Sequence, residues 1–350
     1  MTTHGHCHPR IAAAIAEQAG RLDQLIFAGH THEPAEEVAR DLVELAPEGL
    51  ARVFFSDSGS TSVEVALKMA LGYWHRRGEP RHRILVLEHG YHGDTIGAMS
   101  IGERGVFNRR YEPLLFDVGT IPFPAEGRAA FIAEPLVLGA GGMIIYPARV
   151  LKEMADICRR HGVLWIADEV MTGWGRTGTL FAVEQGGAAP DILCTAKGLT
   201  GGALPLAATL ASEAIFEAHW SNYRADMFYH SSSYTANPIA CAAARANLEI
   251  WREEDVIGRI AAHMDRLSSH PAFENGRQLG TIAALDLKTG NAGYLSDVAP
   301  ALRAFFLKRG LLLRPLGNIL YVMPPYCTTD EQLDRLFAAI AEADDRFGNA

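Results

Sequence analysis

No apolar run in the 350-residue chain approaches the roughly 20 residues that a membrane-spanning helix requires. Residues 1–6 have no signal-peptide shape either. Cysteine is sparse. Cys7, Cys158, Cys194, Cys241 and Cys327 are odd in number and far apart, which argues against a disulfide framework and for reduced thiols in a cytoplasmic protein. Positive charge does not dominate: 32 basic against 41 acidic residues leave a net charge of −9, which argues against nucleic acid or an anionic membrane as the main partner. Low-complexity segments and internal repeats are missing. The glycine-rich stretch 139–142 lacks the full dinucleotide fingerprint and its later acidic residue, so it reads as a loop. His4, His6, Cys7 and His8 look like a metal cluster, yet alternate residues on one short segment do not close a tetrahedral site without distant partners, and no metal is expected.

What is there reads as a soluble α/β enzyme, with 48% hydrophobic and 21% charged residues and enough length for two domains. From about 43 to 250, strand-like apolar runs alternate with helical patterns, the mark of a mostly parallel sheet with crossover helices. Residues 53–56 predict a strand and 57–60 a turn into a helix, on which Thr61 and Glu64 have capping-box spacing. Further strands are expected at 84–87, 131–135, 163–168 and 206–210. Pro147 opens a helix that Gly162 stops, and Asn237 with Pro238 starts a long alanine-rich helix to Trp251. Beyond Arg252 the pattern changes to a helix, a strand at 280–287, a second helix, short strands at 311–313 and 319–323, and a final helix. The expected organisation is an N-terminal segment 1–42, a large domain 43–250 and a smaller α+β domain 251–350.

One pairing carries chemistry. Lys197 follows the apolar Ile192 and Leu193 and precedes a glycine-rich turn, so it is expected at the end of an element and partly desolvated. Asp168 ends the apolar run 163–168, of the kind buried on both faces of a sheet. A lysine amine that forms a Schiff base and a carboxylate that keeps a pyridine nitrogen protonated are what pyridoxal phosphate chemistry needs. A surface lysine and a turn-capping aspartate are the other readings of the two residues taken singly.

Several motifs stand in a telling order: 54–69 with Ser58, Gly59 and Ser60; 91–95 with Tyr91, His92 and Asp94; 166–170 with Asp168 and Glu169; 173–178 around Arg176; and 314–325 from Arg314 to Pro325. On these stretches, and over nearly its whole length, the chain resembles the class III (subgroup II) aminotransferases of PLP fold type I. The fold so implied is α/β, a large domain with a mostly parallel central sheet plus a smaller α+β C-terminal domain. Within that family the resemblance is to the biotin-pathway branch. It implies pyridoxal 5′-phosphate as cofactor, S-adenosylmethionine as the usual amino donor with lysine, used by some relatives, as the alternative, and 8-amino-7-oxononanoate as acceptor, in a homodimer with shared active sites. Another class III aminotransferase acting on an ω-amino acid or diamine is the alternative within enzymes.

The resemblance also assigns residues. Gly59 and Ser60, where a strand hands over to a helix N-terminus, would hold the cofactor phosphate, which a helix dipole and free N–H groups favour; a plain turn is the other reading. Tyr91 would stack on the pyridine ring, with His92 as a neighbour, although a packed aromatic at a strand end is the bland account. Lys197 and Asp168 are the catalytic pair, and Tyr91 joins them. Ser232 and Ser233 resemble a segment that one subunit lends to the other's phosphate site; a polar loop before Asn237 is the alternative. Arg314, held between an apolar triplet and Pro315, would grip the substrate carboxylate bidentately, with Tyr321 lining the same pocket. Gly202, Glu134 and Arg176 are the remaining substrate residues by resemblance. Glu134 ends an apolar strand, where a lone carboxylate is costly, and Arg314 is one partner open to it. Arg176 reads equally as a structural arginine in a glycine turn.

Two departures stand out. The family begins well upstream, with a tryptophan pair just before the equivalent of Thr2, and carries an extra helical stretch where 125–130 alone bridges Pro124 to Phe131. The expectation is therefore cofactor residues intact and a shortened substrate pocket. A cofactor-binding chain without activity is the reading from a different class.

Overall fold

The structure, a computed structural model, describes residues 1–121, 130–187, 189–269, 276–290 and 292–348. Helices α1 (Pro9–Arg21) and α2 (Glu33–Leu45) precede strand β1 (Leu50–Ser56) and helix α3 (Gly59–Arg76). Then come β2 (Ile84–Leu87), α4 (Ile96–Ser100), β3 (Gly119–Ile121), β4 (Ala130–Ala133) and the hairpin of β5 (Val137–Leu138) with β6 (Ile144–Ile145). Helix α5 (Ala148–Arg160) leads into β7 (Leu164–Asp168), β8 (Ile192–Thr195) and β9 (Ala207–Ser212), followed by α6 (Glu213–His219) and α7 (Pro238–Glu253). The remainder is α8 (Val256–Ser269), β10 (Arg277–Leu279), β11 (Ile282–Asp286), α9 (Val298–Lys308), β12 (Ile319–Val322) and α10 (Asp330–Phe347).

Seven strands form the central sheet in the order β1-β9-β8-β7-β4-β2-β3. β3, β2, β4, β7 and β8 are parallel, and β9 runs against both β8 and β1, so β1 points the same way as the parallel set. Alternation along the strands divides the core between the two faces. Ile84, Val86, Ile132, Ile166 and Ile192 meet Val63, Ala66, Ala70 and Trp74 of α3 on one side. Leu85, Leu87, Phe131, Trp165 and Leu193 meet Leu151 and Met154 of α5 and Cys241, Ala244 and Leu248 of α7 on the other. Covered on both faces, these strands carry almost no polar side chain until their carboxyl ends.

A second core lies in the last hundred residues. The antiparallel sheet β10-β11-β12 buries Ala283, Leu285, Leu320 and Val322 under Leu302, Phe305 and Phe306 of α9 and Leu333, Phe337 and Ile340 of α10. It is tied to the large sheet by Arg277, whose Nε donates to the Met143 carbonyl at 2.7 Å, and by Thr281 N, which donates to the Arg176 carbonyl at 2.9 Å.

Some local expectations are corrected. Helix α3 starts at Gly59, so its capping box is Ser58 with Thr61: Thr61 N donates to Ser58 Oγ at 3.2 Å and Ser58 N donates to Thr61 Oγ1 at 2.9 Å. Glu64 is thereby free to serve another helix end, accepting from Thr95 Oγ1 (2.6 Å), Gly97 N (2.8 Å) and Ala98 N (3.2 Å) at the start of α4. Residues 311–313 form no strand: Leu311 N donates back to the Phe306 carbonyl at 3.0 Å, and Leu312 is 85% exposed. Pro315 removes a donor just beyond them, and Gly317, at φ 63°, turns the chain back into β12. The expected bridge at 125–130 lies outside the described residues apart from Ala130, which opens β4. Among the described residues no helix is long and apolar enough to cross a membrane.

Ser58→Ala removes the acceptor for Thr61 N at the turn leading into α3. It is expected to lower unfolding free energy by about 1 kcal/mol, read as a shift in urea midpoint with the slope unchanged.

Candidate active site

Three of the strands that run parallel in this sheet, β4, β7 and β8, end within a few residues of an ionisable group, and the topology gathers those ends along one edge of the sheet. In such sheets ligands bind outside the carboxyl ends of the strands. Asp168 is the last residue of β7 and stands beside Cys194 of β8. Lys197 follows three residues later in a short 3-10 turn, Lys197–Thr200. Glu134 follows β4, while Tyr91 and His92 lie in the loop after β2. The turn after β1 delivers Gly59 and Ser60 as the first residues of α3.

Electrostatics make this edge unusual. Lys197 is exposed to solvent, and its amine donates no hydrogen bond to another described residue. The protein packed around the amine desolvates it and pushes its pKa below the ordinary lysine value, against the opposing pull of Asp168 and Glu134. Asp168 is 4% exposed; its Oδ2 lies 2.7 Å from His92 Nδ1, and its Oδ1 accepts from Val170 N at 3.1 Å. The far ring atom, His92 Nε2, is buried with no hydrogen-bond partner among the described residues. Burial lifts the Glu134 carboxyl to about 7; the His92 charge holds it down and the Asp168 charge adds to the rise. Its oxygens accept from Tyr91 N (3.1 Å) and Gly139 N (3.0 Å), so backbone N–H groups, and not the Arg314 guanidinium, are its partners.

The loop carrying Tyr91 and His92 presses onto the start of α3. Gly93 sits at φ 132°, and a Cβ built there would fall 2.1 Å from Ser60 Oγ, so only glycine allows the approach. Asp94 N donates to Ser60 Oγ at 3.2 Å. Tyr91 is half-buried, and its hydroxyl donates to Asp94 Oδ2 at 3.0 Å. Burial first, then the Asp94 charge, push the phenol up to about 12.

Arg314 lies beside the small sheet, where Nη2 donates to the Tyr294 hydroxyl at 3.1 Å. Tyr294 stacks edge-on against Phe107 (centroids 4.5 Å apart), and Phe107 leans on Tyr91 at 6.1 Å. Tyr321, on β12, is close enough to feel both the Arg314 and Tyr294 charges. An aromatic chain thus connects the guanidinium to the loop over Asp168. Sequence reading identifies its two ends, Arg314 and Tyr91, but misses Phe107 and Tyr294, which come from loops with no periodicity to read.

The other expected residues are arranged differently. Arg176 is 3% exposed; its guanidinium donates to the carbonyls of Pro324 (2.7 Å), Met323 (3.3 Å) and Thr2 (3.4 Å) and lies over the Tyr326 ring. That is the structural use of an arginine in a glycine turn. Gly202, at φ 84°, faces the backbone of Met1 and Thr2. Ser232 Oγ donates to Asp57 Oδ2 at 3.2 Å, beside the start of α3, and the Ser233 carbonyl accepts from Gln24 Nε2. Of the histidines near the N-terminus, His4 points into the protein, its Nε2 2.9 Å from Asn247 Oδ1.

Comparison with known proteins shows the family and the fold. The sequence pattern of the family described as "Aminotransferase class-III" matches residues 1–343. A relative from Synechococcus elongatus named adenosylmethionine-8-amino-7-oxononanoate aminotransferase is 48% identical over 372 residues, covering 98% of this chain and 88% of its own. One of the same name from Mycobacterium leprae is 40% identical, covering 97% and 83%. Among solved structures, the enzyme of that name from Methanocaldococcus jannaschii superposes with a TM-score of 0.90 at 31% identity, covering 99% of this chain and 87% of its own. An amine transaminase from an uncultivated Pseudomonas species, in its PLP-bound form, gives 0.88 at 34% identity, covering 98% and 88%.

The Glu134 carboxyl titrates at about 7 when folded, against 4.5 for its ordinary value. Between those values the native protein holds a proton the unfolded chain has lost, so this group's contribution makes stability fall as pH rises from 4.5 to 7 and level off above. Glu134→Gln is expected to flatten that decline by at most about 1.4 kcal/mol per pH unit, measured by urea unfolding of cofactor-free protein at pH 5, 6, 7 and 8. An unchanged slope would show that the carboxyl is not buried in its protonated form.

Proposed function

The chain belongs to the class-III aminotransferase family, and on that premise we propose that it transfers an amino group from S-adenosylmethionine to 8-amino-7-oxononanoate, yielding 7,8-diaminononanoate for biotin synthesis. Its fold is that of the PLP-dependent transaminases, and its cofactor is pyridoxal 5′-phosphate. The residues fit that group. A desolvated amine, the buried Asp168 carboxylate held by His92, and the tight Gly93–Ser60 turn at a helix N-terminus suit an aldehyde, a pyridine nitrogen and a phosphate in turn.

When bound, the cofactor supplies an electron sink for the pair left as the donor's Cα–H bond breaks. Lys197 is the residue that carries the chemistry. It anchors the cofactor through its amine, and once displaced by a donor it takes the Cα proton and returns it on the other side of the transfer. The lowered pKa of that amine keeps a fraction neutral and able to accept a proton near neutral pH. Asp168, held by His92 and Val170 N, would present its charge to the ring nitrogen. Gly59 and Ser60 would hold the phosphate, and Tyr91 would lie against the ring.

The observation that favours this acceptor is the aromatic chain from Arg314 through Tyr294 and Phe107 to Tyr91. The acceptor has a carboxylate at one end, an apolar polymethylene middle and the reacting ketone near the other end. A guanidinium, an aromatic wall and a lysine answer those three parts in order, with Tyr321 and Glu134 at its sides. In this reading Gly202 and Arg176 act indirectly, by holding the backbone of the N-terminal residues and 323–324. The exposed aromatic segment around Ser232 and Ser233, with Trp220, Tyr223, Tyr229 and Tyr234 each more than 60% exposed, supports a homodimer in which this loop reaches the partner's phosphate turn. Five free cysteines support a reducing cytoplasm.

Purified protein loaded with cofactor is expected to show a visible band that S-adenosylmethionine converts to that of the amine form. A band that persists with this donor but responds to lysine or another amine would redirect the donor assignment, and no band at all would sink the enzymatic reading. Lys197→Ala is expected to abolish turnover. Arg314→Ala is expected to raise KM for the acceptor about 10- to 100-fold, the loss of a charge-assisted pair, while leaving the donor half-reaction unchanged.

A further inference from the structure

Lys197 has a backbone conformation that lysine rarely adopts, φ 39° in the left-handed region, and such strain persists only where the surroundings over-determine it. On its N-terminal side the chain is held through Thr195, whose Oγ1 accepts from Trp174 Nε1 at 2.8 Å. A Cβ added to Gly198 would fall 2.6 Å from the Trp174 side chain, so the turn lies flat against that indole. On its C-terminal side the holding group is Asn247, from α7, which is 0% exposed. Its Nδ2 donates to the carbonyls of Gly198 (3.1 Å) and Leu199 (3.0 Å), the two residues that follow the lysine.

An amide nitrogen has two hydrogens, and both are used here. Asn247 Oδ1 must then accept, which makes His4 Nε2 the donor across their 2.9 Å contact. Burial pushes His4 down to about 4, so it stays neutral and holds this tautomer at working pH. The N-terminal segment adds its own bond to the same turn, Thr3 N to the Gly201 carbonyl at 3.2 Å. Helix α7 and the N-terminal segment therefore meet on the turn that aims the lysine.

We propose that Asn247 is a positioning residue for Lys197, with His4 fixing its orientation. By holding two successive carbonyls it keeps the turn in the strained form that directs the amine towards Asp168. This rests on the reading of Lys197 as the cofactor lysine. Losing the amide lets the turn relax, and a small misdirection of a reacting amine costs rate far more than it costs binding.

The test uses the cofactor-loaded protein and two variants, Asn247→Ala and His4→Leu. For Asn247→Ala, full cofactor content is expected with a donor half-reaction slowed about 30-fold or more and donor affinity changed less than about threefold. The pH midpoint of the bound cofactor's visible spectrum should shift by about half a unit or more, and in cofactor-free protein the amides of 198–201 should exchange faster while α7 stays protected. His4→Leu should move the same readouts in the same direction by less, and it carries the test if the alanine variant does not fold. A lower unfolding midpoint with unchanged half-reaction, spectrum and exchange in both variants would overturn the proposal and leave Asn247 a packing residue. Borohydride reduction and peptide mapping of the unaltered chain separate the two ideas: cofactor attached elsewhere than Lys197 defeats the functional reading itself.

Discussion

Holding two buried carboxyl groups beside one lysine amine that stays open to a ligand is the constraint on which the rest of this structure depends. Buried carboxylates next to each other are expensive. The protein holds all three by giving each carboxyl group backbone N–H or imidazole partners while leaving the amine with none. Glu134 takes two N–H groups, and Asp168 takes His92 and one N–H. The amine is the member of the set left free to react.

Everything that holds those partners in place is ordinary sheet architecture used at its edge. Strands covered on both faces leave their polar residues at their ends, and parallel neighbours put those ends side by side. Glycine at 93 lets two such ends touch, and the Ser58–Thr61 box sets where α3 begins. The small sheet then brings Arg314 alongside, through Tyr294 and Phe107, so that recognition and chemistry come from different cores joined by contacts such as Arg277 to Met143.

How far this could be read from sequence divides by range. Asp168 and Glu134 are legible because each follows an unbroken apolar run, a pattern that says both "buried strand" and "end of strand", and Lys197 because it lies just beyond another such strand and before a glycine-rich turn. The alternation of strand and helix gave the sheet. What failed was local phase and distant contact. The capping box was expected at Thr61 and Glu64 because the spacing fits there too, and only the helix's true start at Gly59 decides for Ser58. Residues 311–313 had strand composition but no neighbour to pair with. For Arg176 the sequence leaves a substrate role and a structural one open, because its donors go to carbonyls far along the chain. Phe107, Tyr294, His4 and Asn247 are brought in by tertiary structure alone. An asparagine within an alanine-rich helix was the one trace of this that periodicity offered.

The single reversed strand, β9, has a consequence for how the molecule is made. It separates β1 from β8, pairing Ser56 with Ala207 on one side and Thr195 with Ala208 on the other. The turn bearing Gly59 and the loop bearing Lys197 thus reach their final separation only when a strand from beyond residue 200 has entered between strands on both sides of it. Such non-local closure slows folding. The site exists only once the sheet is complete, so the cofactor binds the folded chain and not the unfolded one, and mass action then draws the population towards the folded state.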